Sequence, residues 1–206
     1  TLGFSTPTGL ISTGFTTPES IDLQQIIRTM VNGGIDYIPM EISSHAIKLH
    51  RTDDIEVDVA IFTNLTIDHL DFHKSMDEYF NTKLILFKNL KKNSLAILNN
   101  DDPYSKKIIP ELKCPYITYG FNPKSTLSVL SYDLNMNYTK IKFSYNSNEF
   151  DIKTNLIGKF NIYNLMASLL CGLHYGLSLN KVIQSAENFA QISGRLEQFK
   201  IQNKNH

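Results

Sequence analysis

The chain has 206 residues, 42% of them hydrophobic, which is enough for one core or for one core with a small appendage. Its formal net charge is zero, which argues against nucleic acid as a partner attracted by charge. Its two cysteines are too few for a disulfide framework, and no apolar run or basic leader predicts a membrane helix or a signal peptide. We therefore expect a cytoplasmic monomer without membrane insertion.

The N-terminal segment is predicted to be a loop that leads into a helix. Residues 1–18 are rich in Gly, Thr, Ser and Pro, which favours loop with short extended pieces. Thr17 is the expected N-cap and Pro18 the first helical residue, and two successive glycines end the helix at positions 33 and 34. The elements predicted next are a strand over 36–42 and a helix or turn over 44–49.

Buried strands and helices then alternate. The nearly continuous apolar run over 57–65 is typical of a strand buried on both faces. Ser75 and Glu78 form a capping box, which begins a helix that reaches about residue 90. Two more strands are predicted over 94–100 and 115–120. This alternation predicts an α/β fold with a doubly wound, mostly parallel sheet.

The pattern changes after residue 125. Three strand-like runs are separated by turns rich in Asn and Ser, which predicts a small antiparallel β-sheet inserted at about 125–157. Two helices are predicted after it, over about 161–175 and 179–190.

Three of the predicted strands are followed by polar residues, and ligands bind beyond the carboxyl ends of parallel strands. If the strands are neighbours, Glu41, His69 and Asp101 converge on one crevice. A carboxylate inside an apolar strand, as expected for Glu41, must be paired, metal-bound or protonated. A structural role as an N-cap or in a buried salt bridge is the alternative, but Ser43, Ser44 and His45 follow directly and favour a functional role.

The segment from Asp68 to His73 reads D-H-x-D-x-H. Such a segment is as often a solvated turn as a ligand set. If it binds a metal, carboxylate oxygens with one imidazole suit Mg²⁺ or Mn²⁺ better than zinc, because no cysteine lies nearby.

Lys83 falls within the apolar stripe that Tyr79 and Phe87 define on the predicted helix. Its amine could reach water while its stem is buried. A buried amine has a lowered pKa and can take up CO₂, and the resulting carbamate would be an oxygen ligand for a metal. The spacing leaves both interpretations open. Asn161 and Asn164 could likewise be helix N-caps or could bind a purine or ribose, and Arg195 could be a surface charge or a phosphate clamp.

Five segments together carry a resemblance to a known family. MEISSHAIKLHR, TNLTIDHLDFHKSMDEYFNTK, NNDDP, GKFNIYNLMAS and ISGRLEQF occur in this order and at these intervals in a chain that resembles the Mur ligases, in particular those that add the third amino acid. The resemblance spans nearly the whole chain. It implies the central ATPase domain of the family and ATP-driven amide formation through an acyl phosphate, in the synthesis of peptidoglycan precursors. The implied substrates are a UDP-muramoyl dipeptide and a diamino acid, with meso-diaminopimelate favoured over L-lysine.

The resemblance also implies roles for individual residues. Glu41, His69 and Lys83 would be catalytic and would bind Mg²⁺, with Lys83 carbamylated. The residues implied to contact the UDP-muramoyl substrate are Thr16, Thr17, Ser43 and Arg51. The residues implied to contact ATP are Asn161, Asn164, Arg195, Asp101 and Asp102.

One departure from the family pattern stands out. The G-x-x-G-K-[ST] phosphate-binding loop does not occur in the 206 residues, and neither do a UDP-binding domain and an amino-acid-binding domain. We therefore expect a partial central domain that is inactive or very weak by itself. Two alternatives stay open: another Mur or folylpolyglutamate ligase, against which DHLDFH and MEISSH argue, and a truncated remnant without catalysis.

Overall fold

The structure is a computed structural model that describes residues 4–6, 9–11, 14–67 and 71–190. The expected site residues His69 and Arg195 lie outside the described residues, as does Asp68. In the described part of the chain, none of the helices combines the length and the apolar character that a membrane crossing requires.

The elements in chain order are β1 (Phe4–Thr6), β2 (Gly9–Ile11), α1 (Ser20–Asn32), α2 (Ser44–Lys48), β3 (Val59–Phe62), α3 (Met76–Lys88), β4 (Leu95–Asn99), α4 (Ser105–Ile108), a 3₁₀ turn (Ile109–Glu111), β5 (Tyr116–Gly120), β6 (Leu127–Leu134), β7 (Thr139–Tyr145), β8 (Asn148–Thr154), α5 (Lys159–His174) and α6 (Leu179–Glu187). They form two compact units. The first unit contains β1, β2, α1, α2 and α3, and the second contains all the other elements.

Helix α3 of the first unit begins where a local side chain caps it. The hydroxyl of Ser75 accepts a hydrogen bond from the backbone N–H of Glu78 (3.1 Å), which confirms Ser75 as the N-cap of α3. The carboxylate of Glu78 accepts from Lys74 N (2.9 Å) and pairs with Lys48 of α2. These contacts, led by the bond from Lys48, lower the pKa of Glu78. The predicted capping box is thus present on its Ser75 side, while Glu78 joins α3 to α2.

The second unit contains a six-stranded sheet in the order β3-β4-β5-β6-β7-β8. The pairs from β3 to β6 are parallel, and the pairs β6–β7 and β7–β8 are antiparallel. The predicted α/β fold with a mostly parallel sheet and an antiparallel extension is confirmed. The extension is continuous with the parallel strands because β5 pairs with β6.

One core serves both parts of this sheet. Ile97 of β4, Phe143 of β7 and Ile152 of β8 belong to the same buried cluster, and each is at most 1% exposed. Met166 of α5 and Val182 of α6 belong to it as well. The apolar side chains of the antiparallel strands therefore complete the core that the parallel strands begin.

Three local predictions were wrong or too long. Residues 36–42 form no strand, and in the described part of the chain they have no ladder partner with which to exchange backbone hydrogen bonds. The strand predicted over 57–65 is limited to Val59–Phe62. Helix α1 begins at Ser20 with Glu19 at the N-cap position, so Thr17 and Pro18 precede the helix. The hydroxyl of Thr17 has long-range partners instead.

Replacing Phe143 by Ala tests the shared core. Because the ring is fully buried, Phe143→Ala should lower the free energy of unfolding by about 3–5 kcal/mol. Urea denaturation followed by circular dichroism measures the change. Phe160→Ala is the matched control, since that ring is 46% exposed, and it should cost less than about 1 kcal/mol. Equal losses in both variants would contradict a core that extends into β7.

Candidate functional site

Thr17 connects two segments of the first unit that are far apart in sequence. Its side chain is 1% exposed, and its hydroxyl donates to the carbonyl of Glu41 (2.9 Å) and accepts from the N–H of Ser43 (3.2 Å). A buried hydroxyl that both donates and accepts a hydrogen bond replaces the bonds to water that it loses on burial. Three of the residues expected at the site are thereby brought together.

Arg51 joins the same group. Its guanidinium donates to the carbonyl of Thr17 (3.2 Å), pairs with the carboxylate of Glu19 and lies over the ring of Phe15, 5.0 Å from its centroid. The Arg51 side chain is 12% exposed. Its buried Nε has no hydrogen-bond partner among the residues that the structure describes. The described residues therefore leave the Nε of this largely buried cation unsatisfied.

Ser43 caps the helix that follows this group. Its hydroxyl accepts from the N–H of Ala46 (3.2 Å), which begins α2. The next residue, Ser44, is buried and its hydroxyl is hydrogen-bonded to Nε2 of the buried His73 (2.8 Å). The ring of His73 also stacks on Tyr79 of α3, with centroids 5.0 Å apart. His73 therefore has packing and hydrogen-bonding partners within the fold, while Asp71 is exposed.

The side chain of Glu41 is exposed. The expectation of a carboxylate buried within an apolar strand is wrong, because residues 36–42 do not form the strand that would have enclosed it. Its backbone is held by Thr17, so the position of the residue is fixed while its carboxylate faces solvent. An exposed carboxylate of this kind suits a metal ligand as well as a surface charge.

Lys83 is half-buried on α3, between the fully buried Thr82 and Leu84. Its Nζ lies 5.3 Å from the centroid of the Tyr79 ring, a cation–π distance that suits the ammonium form. The expected burial of the stem is therefore present, and the amine is only partly withdrawn from water. No cluster of three or more His, Cys, Asp or Glu residues suited to a metal occurs in the described ranges, from which His69 is missing.

The last residue of β4 and the turn that follows it hold the ends of neighbouring strands in the second unit. The Nδ2 of Asn99 donates to the carbonyl of Thr63 (2.7 Å), beyond β3. The carboxylate of Asp102 accepts from the N–H of Leu65 (2.9 Å) and from that of Tyr104 (2.9 Å). These side chains satisfy backbone groups that have left the sheet. The carboxylate of Asp101 makes comparable bonds to the segment after β5.

Asn161 and Asn164 lie in the first two turns of α5. The N-cap position belongs to Gly158, so the interpretation of these two residues as N-caps is wrong. Asn161 is 3% exposed and its amide donates to the carbonyl of Ile157 (2.8 Å), while the amide of Asn164 donates to Oδ1 of Asn161 (3.2 Å). The two side chains form a short hydrogen-bonded chain that ends in the exposed Asn164.

A groove of about 240 Å³ between α5 and α6 begins at this pair. Its lining is mainly apolar, with Leu165, Leu169, Val182 and Phe189 among the contributing residues. Such a combination of an apolar surface and two amides suits a planar heterocycle.

Sequence reasoning missed two residues with clear roles. Glu19 is the ion-pair partner of Arg51, but the sequence does not indicate this pairing. A Glu just before a helix is common because it interacts favourably with the helix dipole. Tyr163, whose phenol donates to Asp101 (2.9 Å), lies between the two asparagines of interest, and no local sequence pattern marks it. Only the three-dimensional structure pairs these residues with their partners.

A family model for the Mur ligase middle domain matches residues 1–172. The UDP-N-acetylmuramoyl-L-alanyl-D-glutamate--2,6-diaminopimelate ligase of Caldanaerobacter subterraneus subsp. tengcongensis is 39% identical over 188 residues, which is 91% of this chain and 38% of that protein. The corresponding ligase 1 of Clostridium acetobutylicum is 38% identical over 182 residues, or 88% of this chain and 37% of that protein. The chain thus spans less than two fifths of these relatives.

Solved structures show the same fold. A UDP-N-acetylmuramoyl-L-alanyl-D-glutamate--2,6-diaminopimelate ligase superposes with a TM-score of 0.77 at 22% identity, over 86% of this chain and 37% of that one. A MurF ligase from Thermotoga maritima in complex with ADP gives a TM-score of 0.64 at 20% identity, over 81% of this chain and 40% of that one. At these identities the likeness concerns the fold.

The hydroxyl of Thr17 can be tested by Thr17→Val, which keeps the shape of the side chain. Because the carbonyl of Glu41 and the N–H of Ser43 would lose a buried partner, the free energy of unfolding should fall by about 1–3 kcal/mol. Thr17→Ser should restore most of it. Urea denaturation provides the measurement, with Thr29→Val as the control on an exposed threonine of α1. A loss no larger than that of the control would refute the bridging role.

Proposed function

The chain belongs to the family of Mur ligase middle domains, and from this premise we propose that it is the central part of an ATP-dependent ligase that adds meso-diaminopimelate to a UDP-muramoyl dipeptide. Identity of 38–39% with relatives that carry this activity in their names, over 88–91% of the chain, is the observation on which the proposal rests. The reaction would join an amine to a carboxylate through an acyl phosphate. As in the family, the segments that complete the enzyme would be supplied outside these 206 residues.

The first unit would bind the UDP-muramoyl substrate. Arg51 supplies a guanidinium that is 12% exposed, and a guanidinium matches the geometry of phosphate and carboxylate groups. Thr17 and Ser43 lie beside it, and Thr16 directly precedes Thr17. The ion pair with Glu19 and the contact with Phe15 orient the guanidinium before the substrate arrives, which lowers the cost of ordering it.

The same unit would hold a Mg²⁺ ion, with Glu41, His69 and a carbamylated Lys83 as ligands. The donor set fits the ion, because a carboxylate and a carbamate supply the oxygen ligands that Mg²⁺ prefers. When bound, the ion would neutralise charge on the phosphoryl group that is transferred. Lys83 is suited to carbamylation in one respect, since half-burial on α3 favours the uncharged amine that CO₂ requires. Its contact with Tyr79 opposes this step, because the ring stabilises the ammonium.

The second unit would bind the nucleotide. The exposed amide of Asn164, positioned by Asn161, faces the groove between α5 and α6 and can donate to or accept from a purine or a ribose. Arg195 would follow α6 in sequence and would add a positive charge for phosphate groups. Asp101 and Asp102, which were expected near the nucleotide, are occupied with backbone N–H groups at the strand ends.

Carbamylation of Lys83 is directly measurable. The chain equilibrated with ¹³C-labelled bicarbonate should give a carbamate carbonyl signal by ¹³C NMR. Lys83→Arg should remove the signal, because a guanidinium stays protonated and cannot form a carbamate. Lys88→Arg, which alters an exposed lysine in the last turn of the same helix, is the matched control. A carbamate signal that survives Lys83→Arg would place the modification elsewhere.

The ligase activity can be tested by segment exchange. The 206 residues would replace the matching segment of the Caldanaerobacter ligase, which supplies the flanking regions. The exchanged protein should release ADP and form product only when ATP, the UDP-muramoyl dipeptide and meso-diaminopimelate are all present. Lys83→Ala in this background should reduce the rate by about 10²-fold or more, the size expected when a group that stabilises transition-state charge is lost.

Lys88→Ala serves as the control and should leave the rate unchanged. The exchanged protein should also remain folded by circular dichroism, so that inactivity cannot be ascribed to unfolding. A folded but inactive exchange would contradict the proposal and would favour a remnant without catalysis.

A further inference from the structure

The carboxylate of Asp101 connects three segments of the second unit. Its Oδ2 accepts from the N–H of Phe121 (2.6 Å) and from the phenol of Tyr163 (2.9 Å), and its Oδ1 accepts from the N–H of Asn122 (3.1 Å). Asp101 follows β4, the two amides follow β5, and Tyr163 belongs to α5. A single side chain therefore ties the start of α5 to the ends of two parallel strands.

The last residue of β5 makes room for this carboxylate. If Gly120 were replaced by a residue with a side chain, the new Cβ atom would lie 2.7 Å from Oδ2 of Asp101, closer than such atoms approach one another. Any side chain larger than that of glycine would push the carboxylate away from the Phe121 and Asn122 amides. The glycine at the end of β5 therefore allows the carboxylate of Asp101 to reach these backbone amides.

The phenol of Tyr163 is held as a donor by its surroundings. Its ring packs against Phe121, with centroids 5.2 Å apart, and against Tyr119 at 6.5 Å. Burial, and then the bond to Asp101, raise the pKa of the Tyr163 phenol well above its ordinary value. The proton therefore stays on Tyr163 at neutral pH, and the hydrogen bond to the carboxylate persists.

From this geometry we infer that Asp101 is a positioning residue for the nucleotide site: through Tyr163 it sets the rotation of α5 and so the position of Asn161 and Asn164. Tyr163 is one residue from Asn164, which is about 100° around the helix. Fixing Tyr163 on the sheet side therefore leaves Asn164 facing the groove with α6. The inference rests on the proposed nucleotide site.

Direct contact between Asp101 and a nucleotide is disfavoured by charge. A carboxylate next to a triphosphate repels it unless a cation lies between them. The carboxylate of Asp101 also accepts hydrogen bonds from three donors of the protein itself, which occupy most of its acceptor sites. We therefore expect Asp101 to affect nucleotide binding indirectly, by positioning α5 through Tyr163.

The test uses the ¹⁵N-labelled 206-residue chain titrated with adenosine, which needs no phosphate-binding loop. The dissociation constant comes from the shifts of the backbone amides, measured well below the unfolding temperature. Asp101→Ala and Tyr163→Phe should each weaken adenosine binding by about three- to tenfold, the size expected for one hydrogen bond. The double variant should bind no more weakly than Asp101→Ala, because both changes remove the same bond.

Three further variants sharpen the result. Gly120→Ala should reproduce the loss seen with Asp101→Ala, since it displaces the carboxylate. Tyr116→Phe and Asp151→Ala alter an exposed tyrosine and an exposed aspartate of the same unit and should bind adenosine as the unaltered chain does. If Asp101→Ala fails to fold, Tyr163→Phe still decides the question, because it keeps the ring that packs against Phe121.

The outcomes separate this inference from the proposed function. Weaker binding in Asp101→Ala but not in Tyr163→Phe would overturn positioning in favour of direct contact. Unchanged binding in both, with a loss in Asn164→Ala, would refute the inference and leave the nucleotide site standing. If adenosine shifts no amide of the unaltered chain, the nucleotide site and the positioning role are both refuted.

Discussion

The second unit depends on how the last residue of β4 and the turn after it satisfy backbone groups at the ends of neighbouring strands. A parallel strand that ends leaves N–H and C=O groups that no longer have a partner in the sheet, and each needs a substitute. Asn99 and Asp102 serve the end of β3, while Asp101 serves the end of β5 and reaches α5. The carboxyl edge of the sheet, where ligands bind in such folds, is therefore held by short polar side chains from one turn.

In the first unit, the hydroxyl of Thr17 likewise bonds to backbone groups that have no partner in a sheet. Residues 36–42 make no ladder in the described part of the chain, so the segment that carries Glu41 must be positioned in another way. The hydroxyl of Thr17 holds this segment by bonding to the carbonyl of Glu41 and to the N–H of Ser43. Arg51 in turn donates to the carbonyl of Thr17. Any shift of Thr17 is consequently transmitted to a carboxylate, to the start of α2 and to a guanidinium. The expected substrate and metal residues of this unit are thus mechanically linked.

Much of the fold could be predicted because its signals are local. The buried strand β4 is a continuous apolar run, and the turn between β7 and β8 contains Asn146 and Ser147, both with positive φ, as Asn-rich hairpin turns favour. The strand over 36–42 failed because alternation of apolar residues says nothing about an available partner strand. Thr17 was misassigned for the converse reason: it has the residue type of a cap, but its tertiary partners take its hydroxyl. The pairing of Asp101 with Tyr163 joins positions 62 residues apart and leaves no periodic trace.

Lys83 shows why the chemistry of a site is harder to predict than its place. Its position within an apolar stripe correctly indicated a stem packed on α3. Burial disfavours the ammonium, whereas the face of Tyr79 favours it. The balance is tipped by what lies beside the amine: a bound cation would disfavour the ammonium and stabilise a carbamate anion. Metal binding and carbamylation should therefore be coupled, each raising the occupancy of the other.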